Sequence, residues 1–449
     1  MRVTTLSRAD LGTRHVRLDP AFYVGRERVR STVNAEASRH MRLGDLVDSI
    51  HDGARLPSSA SGVPILRLNN VRPCELDMTA VTHGDGSAST WVRVRVGDVL
   101  FTRAAQPFRA AAVLVDMPEE LAVSSEISII RPRPAVLPEY LAAVLCTPTL
   151  NQVLRDLAYR GRSSALPRLR LVDIQRLPIP LPPRSLQEAL GRQYRQAIQL
   201  TAEASAELNA VVSAIHMEID HRISSFEVPD STLEVGRSAL ASRWDVSFNR
   251  GRELRGSLKS SAAMQPLLLL AKPGAASVRG VADDEDVFVV QVDDVNEATF
   301  LIEGGEHRPL SELSSRIRQR LQTGDVLLCT TGAGDQVAYV DEEIGAGGHP
   351  ILGSATFTPL RFEETPRVFS ATLSHPLVRQ QLRLLSSGSV QRFIGKRELD
   401  ELLIPVLGRI WREDFEARLT RAMQRRREAL LARAALIDAA DEYLREAMP

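Results

Sequence analysis

The residues that could do chemistry are easiest to test through lysine, because the chain has it only at Lys259, Lys272 and Lys396. A common metal-dependent nuclease needs a lysine two residues after an acid, and Ser257, Leu270 and Ile394 stand there instead. A P-loop needs Gly-Lys-Ser/Thr to cradle phosphates, yet the only Gly-Lys, Gly395-Lys396, is followed by Arg397. An amino-methyltransferase asks for Asn/Asp-Pro-Pro-aromatic, and the one Pro-Pro, Pro182-Pro183, lies in "PLPPRS". No Gly-x-Gly-x-x-Gly follows a strand, so "TTGAG" (330–334) reads as a turn. His216 and His221 are five apart, not the four that put two ligands on one helical face. Cys74, Cys146 and Cys329 are scattered and odd in number, which fits a reducing cytosol and argues against a disulfide framework or a cysteine-based zinc site. The expectation is a chain with no active site, no bound metal and no cofactor of its own.

What would such residues be mounted on? At 449 residues the chain exceeds one ordinary core. No apolar run approaches the ~18 residues of a membrane span, and "MRVTTLSRAD" has no apolar stretch of the secretory kind, so a cytoplasmic protein is expected. Acids and bases balance at 56 each, but unevenly along the chain. Residues 1–180 carry 24 arginines against 18 acids, and residues 240–405 carry 18 bases against 22 acids. A positive surface for a polyanion must therefore be local.

The chain reads as written twice. "RLDPAFY" (17–23) is answered by "RWDVSFN" (243–249), setting Asp19 and Asp245 226 apart. "ILRLNNV" (65–71) is answered by "VVQVDDV" (289–295), and "VRVGDVLF" (94–101) by "LQTGDVLL", at offsets of 224 and 227. "LCTPTLNQVLRDL" (145–157) is answered by "LSHPLVRQQLRLL" (373–385), and "VDIQRLPIP" (172–180) by "RELDELLIP" (397–405), at 228 and 225. Five matches in one order with a drift of four residues indicate a tandem duplication. Within each copy, Val/Ile-rich runs read as strands, Gly-Asp as a turn, and Pro148 and Pro376 as the first turns of helices.

Each copy ends in a helix of coiled-coil pattern. In 185–223, Ile198, Ser205, Val212 and Ile219 are seven apart, with Thr201, Leu208 and Ile215 as the second seam. In 414–448, Met423, Leu430, Ile437 and Leu444 repeat the spacing. Such 3.5-residue stripes pack helix on helix, and the first would be roughly 55 Å long. The fold class expected is α+β: two tandem mixed α/β domains, 1–180 and 226–405, with a central long helix in 181–225 and a C-terminal one in 406–449 that pair with each other as a coiled coil.

With "LPIPLPPRSLQEAL" (177–190) feeding the first long helix, the ordered set resembles the specificity subunit of type I restriction-modification systems, over essentially the whole chain. The second copy departs with "LLIPVLGRIW" (402–411), and the first with "FTRAAQPFRAAAVLV" where that family carries glycines. The resemblance implies a non-catalytic DNA reader with two target recognition domains, one per half of a bipartite site, held apart by the two long helices as spacers in an antiparallel coiled coil. It implies double-stranded DNA as ligand, two methyltransferase subunits docked on the helices, and a translocating nuclease subunit in the complex. S-adenosylmethionine, ATP and magnesium would then belong to those partners.

Arginine can bridge guanine O6 and N7, and Asn or Gln adenine N6 and N7. By position, the first copy offers Arg55, Arg67, Asn69, Arg103, Gln106, Arg109, Arg160, Arg162, Ser163 and Arg168. The second offers Arg279, Gln291, Thr330, Thr331, Gln336, Arg392 and Lys396. Two other readings share these residues: a DNA-reading module of another phage-defence system, and a coiled-coil scaffold that binds protein alone.

Overall fold

A computed structural model of the chain describes residues 40–447, except 80, 87–90, 106, 116, 119–120, 160–166, 224–250, 252–253, 260, 262, 275–277, 279–280, 333–335 and 389–392. Asp19 and Asp245 lie outside the described residues. The chain forms two compact units, one of residues 1–201 with 428–449 and the other of residues 202–427. Each unit holds one copy of the repeat and a part of each long helix. No helix among the described residues is long and apolar enough to cross a membrane.

The two copies share a topology. The first has a sheet ordered Val47–Asp52, Ile127–Pro132, Val99–Thr102, Ala110–Ala112. The second repeats it as Ala271–Pro273, Phe357–Phe362, Val326–Cys329, Val337–Tyr339, then adds Leu301–Ile302 and Val295–Asn296. Helices Pro138–Leu145 and Pro148–Leu157 are matched by Pro366–Leu373 and Pro376–Leu385, each with proline in its first turn. The Ile-Pro endings become short strands, Pro178–Pro180 pairing His40–Arg42 and Leu403–Pro405 pairing Met264–Pro266.

The Gly-Asp repeat now has a cause. "VLF" and "VLL" are apolar at every position because both faces of the strand are covered. Val99 and Phe101 lie in the core beneath the helices, and Leu100 lies in the core on the other side. Val326 and Leu328 are divided from Leu327 and Cys329 in the same way. Before each strand, Gly97 and Gly324 both adopt φ +90°, which glycine takes without steric cost. The aspartate then closes the turn, its carboxylate accepting from Arg95 N at 2.8 Å and from Gln322 N at 2.9 Å. Each carboxylate also holds an arginine of the neighbouring strand at 2.9 Å, Asp98 with Arg131 and Asp325 with Arg361. Burial raises the Asp325 carboxyl above its ordinary range, with Arg361 opposing.

The long helices are Arg184–Ile223 and Arg409–Ala447. In the first unit Leu190, Tyr194 and Ile198 cluster with Leu436, Ile437, Ala440 and Leu444. In the second, Leu208, Val211, Ile215 and Ile219 cluster with Phe415, Leu419, Ala422 and Met423. The start of one helix meets the end of the other in both cases, so they pair antiparallel.

The predicted seam needs correction. Leu208, Ile215, Ile219, Met423 and Leu444 are buried, but Ile198, Ser205, Val212, Leu430 and Ile437 are half-buried flanks. The buried lines run through Ala197, Thr201, Ala204, Leu208 and Val211 on one helix, and through Ala422, Arg426, Ala429, Arg433 and Leu436 on the other. Scanning for large apolar residues misses a stripe built partly of alanine and arginine.

Those two arginines are seven apart and each binds its own unit. Arg426 forms a two-toothed pair with Glu303 at 2.8 and 3.0 Å, and Glu303 also accepts from Asn296 and Thr299. Arg433 pairs with Glu75, and burial pulls its guanidinium down to about 10. All three cysteines are free thiols. Cys74 and Cys146 lie within hydrogen-bond contact as free thiols, raising Cys74 and lowering Cys146 against the effect of its burial.

Candidate nucleic-acid interface

Because the copies share a frame, their candidate contact residues can be compared place by place. The first place follows the Gly-Asp strand. Arg103 N donates to Glu126 O at 2.8 Å, and Arg103 O accepts from Leu169 N at 2.8 Å. In the second copy Thr330 N donates to Thr356 O, and Thr330 O accepts from Ile394 N, both at 2.9 Å. A strand bridge stands beside each junction, Tyr159 with Arg168 and Ser387 with Phe393.

On this common backbone the side chains differ. Arg103 reaches Ser125 O and Asp52, both at 3.0 Å, and Arg168 meets Glu126 at 3.5 Å. Thr330 instead bonds Thr356 O and Thr358 Oγ1, both at 3.2 Å, and Phe393 is 52% exposed. One copy presents half-buried guanidinium groups at this place; the other presents an exposed apolar ring, with the Thr330 hydroxyl buried. The arginines' present partners are no obstacle, since partly exposed ion pairs are worth about 0–1 kcal/mol and exchange readily.

The second place is a 3₁₀ turn, Leu68–Asn70 in one copy and Val292–Asp294 in the other. Arg67 N donates to Asn70 Oδ1 and Gln291 N to Asp294 Oδ2, both at 2.7 Å. Asn70 is thus a buried structural residue, while Asn69 beside it is exposed. Arg67 extends to Thr82 at 2.8 Å and Ser58 at 3.4 Å, whereas Gln291 is exposed. The repeat register sets Asp293 opposite Asn69, a carboxylate in place of an amide.

The structure therefore brings Arg103 and Arg168 together, and Thr330 and Thr331 beside Phe393. It places the others apart. Arg55 is exposed, Arg109 spends its backbone on Thr102, Gln336 donates to Glu297, and Lys396 is exposed at the start of the Lys396–Leu399 helix. Gln106, Arg160, Arg162, Ser163, Arg279 and Arg392 lie outside the described residues. Sequence reasoning missed Phe393 and Asp293; carrying the 224-residue offset through the turn one residue at a time finds the latter.

No protein-family model matches the chain, and no curated protein matches it. Nineteen solved chains do. The HsdS subunit from Thermoanaerobacter tengcongensis is 17% identical, with 91% of this chain and 96% of that one covered at a TM-score of 0.28. The type I restriction-modification S subunit from M. genitalium is 10% identical, with 91% and 96% covered at 0.35. A chain from a structural study of complex assembly and conformational transition of the type I R-M system is 16% identical, with 91% and 97% covered at 0.27. Over 91% of its length, the chain is similar to specificity subunits of type I restriction-modification systems.

Proposed function

We propose that the chain is the sequence-specific DNA-recognition subunit of a type I restriction-modification complex, acting in the cytoplasm. Residues 1–180 and 226–405 are its two target recognition domains, and the long helices dock methyltransferase subunits. It performs no catalysis itself; methyl transfer, translocation and cleavage fall to its partners, with their own cofactors. One observation supports this most: a single backbone frame, built twice, carries different solvent-reachable chemistry at matching places. Half-buried Arg67 and Arg168 and exposed Asn69 in one copy stand against exposed Gln291, Phe393 and Asp293 in the other. A structural repeat needs no such divergence, whereas two readers of unlike half-sites do.

The test is a mobility shift with the cognate methyltransferase subunits at fixed salt, paired with mapping of methylated adenines. Replacing Arg168 by alanine should relax recognition at one position of one half-site by about 1–3 kcal/mol if it reads a base. A uniform loss across sequences would make it a phosphate contact instead. Absence of DNA binding in every assembly would favour the protein-only scaffold.

A further inference from the structure

The second copy brings together three side chains that the DNA-reading role does not use. Asp286 opens strand Asp286–Val290, His307 lies on strand Glu306–Pro309, and His349 precedes strand Ile351–Ser354. One ring nitrogen of each histidine and one Asp286 carboxylate oxygen all lie within 4.8 Å of one another. We propose that Asp286, His307 and His349 form a binding site for a divalent transition metal of the zinc class.

Three features support the assignment. First, the backbone fixes the positions. Phe288 pairs His307 across the antiparallel ladder, and Phe288 N donates to Pro350 O at 2.9 Å, which anchors the segment bearing His349. On one face of such a pair a diagonal neighbour is within reach of a long side chain, and His307 Nδ1 lies 3.5 Å from Asp286 Oδ2.

Second, the outer contacts are those of a ligand. His349 Nδ1 lies 3.1 Å from the Asp286 carbonyl oxygen, and donating its hydrogen there leaves Nε2 free to bind metal. A metal-bound histidine ordinarily has its other ring nitrogen held in this way. The ring of His307 sits between Phe288 and His349, with centroids at 5.2 and 4.9 Å.

Third, the donor set selects the ion. Two imidazoles and a carboxylate suit zinc and its first-row neighbours, while magnesium and calcium prefer all-oxygen shells. Bonds of ~2.0–2.1 Å in a tetrahedron set ligand atoms about 3.3 Å apart, so the exposed side chains need to close by up to about 1.5 Å. Three protein ligands leave a fourth position to water. The site belongs to the second copy alone among the described residues: in the first, the strand register sets His83 at the place of His307 but Gly62 at that of Asp286.

The test uses the full-length, untagged protein, stripped with chelator and dialysed against zinc. The expected result is one zinc per chain, visible d–d absorption on cobalt substitution, and a thermal midpoint that rises with zinc but not with magnesium. His307→Ala and His349→Ala should each abolish the stoichiometric ion with an unchanged far-UV spectrum, and His83→Ala should leave it in place. If His307→Ala fails to fold, His349→Gln at the exposed segment carries the same test. No zinc above buffer level, or stoichiometric zinc that survives both substitutions, would overturn the proposal.

Discussion

The buried pair Arg426–Glu303 offers the sharpest energetic test. Its side chains are only 1% and 4% exposed, so neither charge can recover its hydration by turning outward. Replacing Arg426 by methionine leaves Glu303 with the neutral donors Asn296 and Thr299 at 3.0 and 3.2 Å. Removing one partner of a buried pair costs about 3–5 kcal/mol, mostly from the stranded charge. For the unit of residues 202–427, an unfolding entropy of ~2.1 cal/mol/K per residue turns that into a thermal midpoint lower by roughly 6–11 °C. Adding Glu303→Gln should restore part of the loss, because the amide keeps its hydrogen bonds while the unpaired charge disappears. The assay is a scanning-calorimetry cycle of the two single variants and the double, with the transition assigned by hydrogen exchange. If Arg426→Met shifts the midpoint by less than about 2 °C, or the double variant is as unstable as the singles summed, the pair is not what holds the C-terminal helix to this unit.

Three further outcomes are expected. His375 caps the Pro376–Leu385 helix by accepting from Leu377 N at 3.2 Å, beside His216, Asp220 and Arg379, and burial lowers both histidines below the ordinary value of 6.5. The unfolded chain then takes protons first, so stability falls as pH drops through ~6.5 and levels off below the folded values; His375→Thr, the residue at the matching cap Thr147, should give a shallower acid slope in thermal scans, and an unchanged slope would refute the assignment. Gly324→Ala meets no atom within 4 Å, so its cost is torsional alone, about 1–2 kcal/mol by denaturation, and a larger loss would mean that the turn is packed. Inserting seven residues after Thr201 and seven after Arg427 lengthens each helix by about 10 Å, or about three base-pair steps; methylation mapping should find the half-sites kept and their spacing enlarged, and altered half-sites at the old spacing would reverse the roles of helix and domain.

How much of this was legible beforehand follows from what each feature depends on. The Gly-Asp turns could be read because they rest on local chemistry, a positive φ and a carboxylate three residues from the amide it accepts. The prolines at the starts of Pro148–Leu157 and Pro376–Leu385 were legible for the same reason. The helical seam was read one position off at Ile198, Ser205 and Val212, because Ala197 and Ala204 bury little area yet sit on the contact line. Arg426 and Arg433 could not be placed in it at all, since their partners Glu303 and Glu75 are more than 100 residues away in the chain. The Cys74–Cys146 contact and the Asp286–His307–His349 cluster were hidden in the same way: strand pairing, not spacing, assembles them.

That division bears on the contact residues. A position's chemistry is informative only once its frame is known, and the duplication supplies the frame internally. Arg103 and Thr330 share two backbone hydrogen bonds to matching neighbours, so their side chains start from one place on a common frame, Arg103 half-buried and Thr330 buried. The same comparison separates Asn70, whose amide closes the turn as Asp294 does, from Asn69, whose counterpart Asp293 changes the chemistry on offer. Residues that hold the frame keep their role between copies, and residues that face a ligand are free to change it. If the chain reads DNA as proposed, an Arg67→Gln, Asn69→Asp variant keeps its fold while methylation mapping finds its first half-site moved toward that of the second.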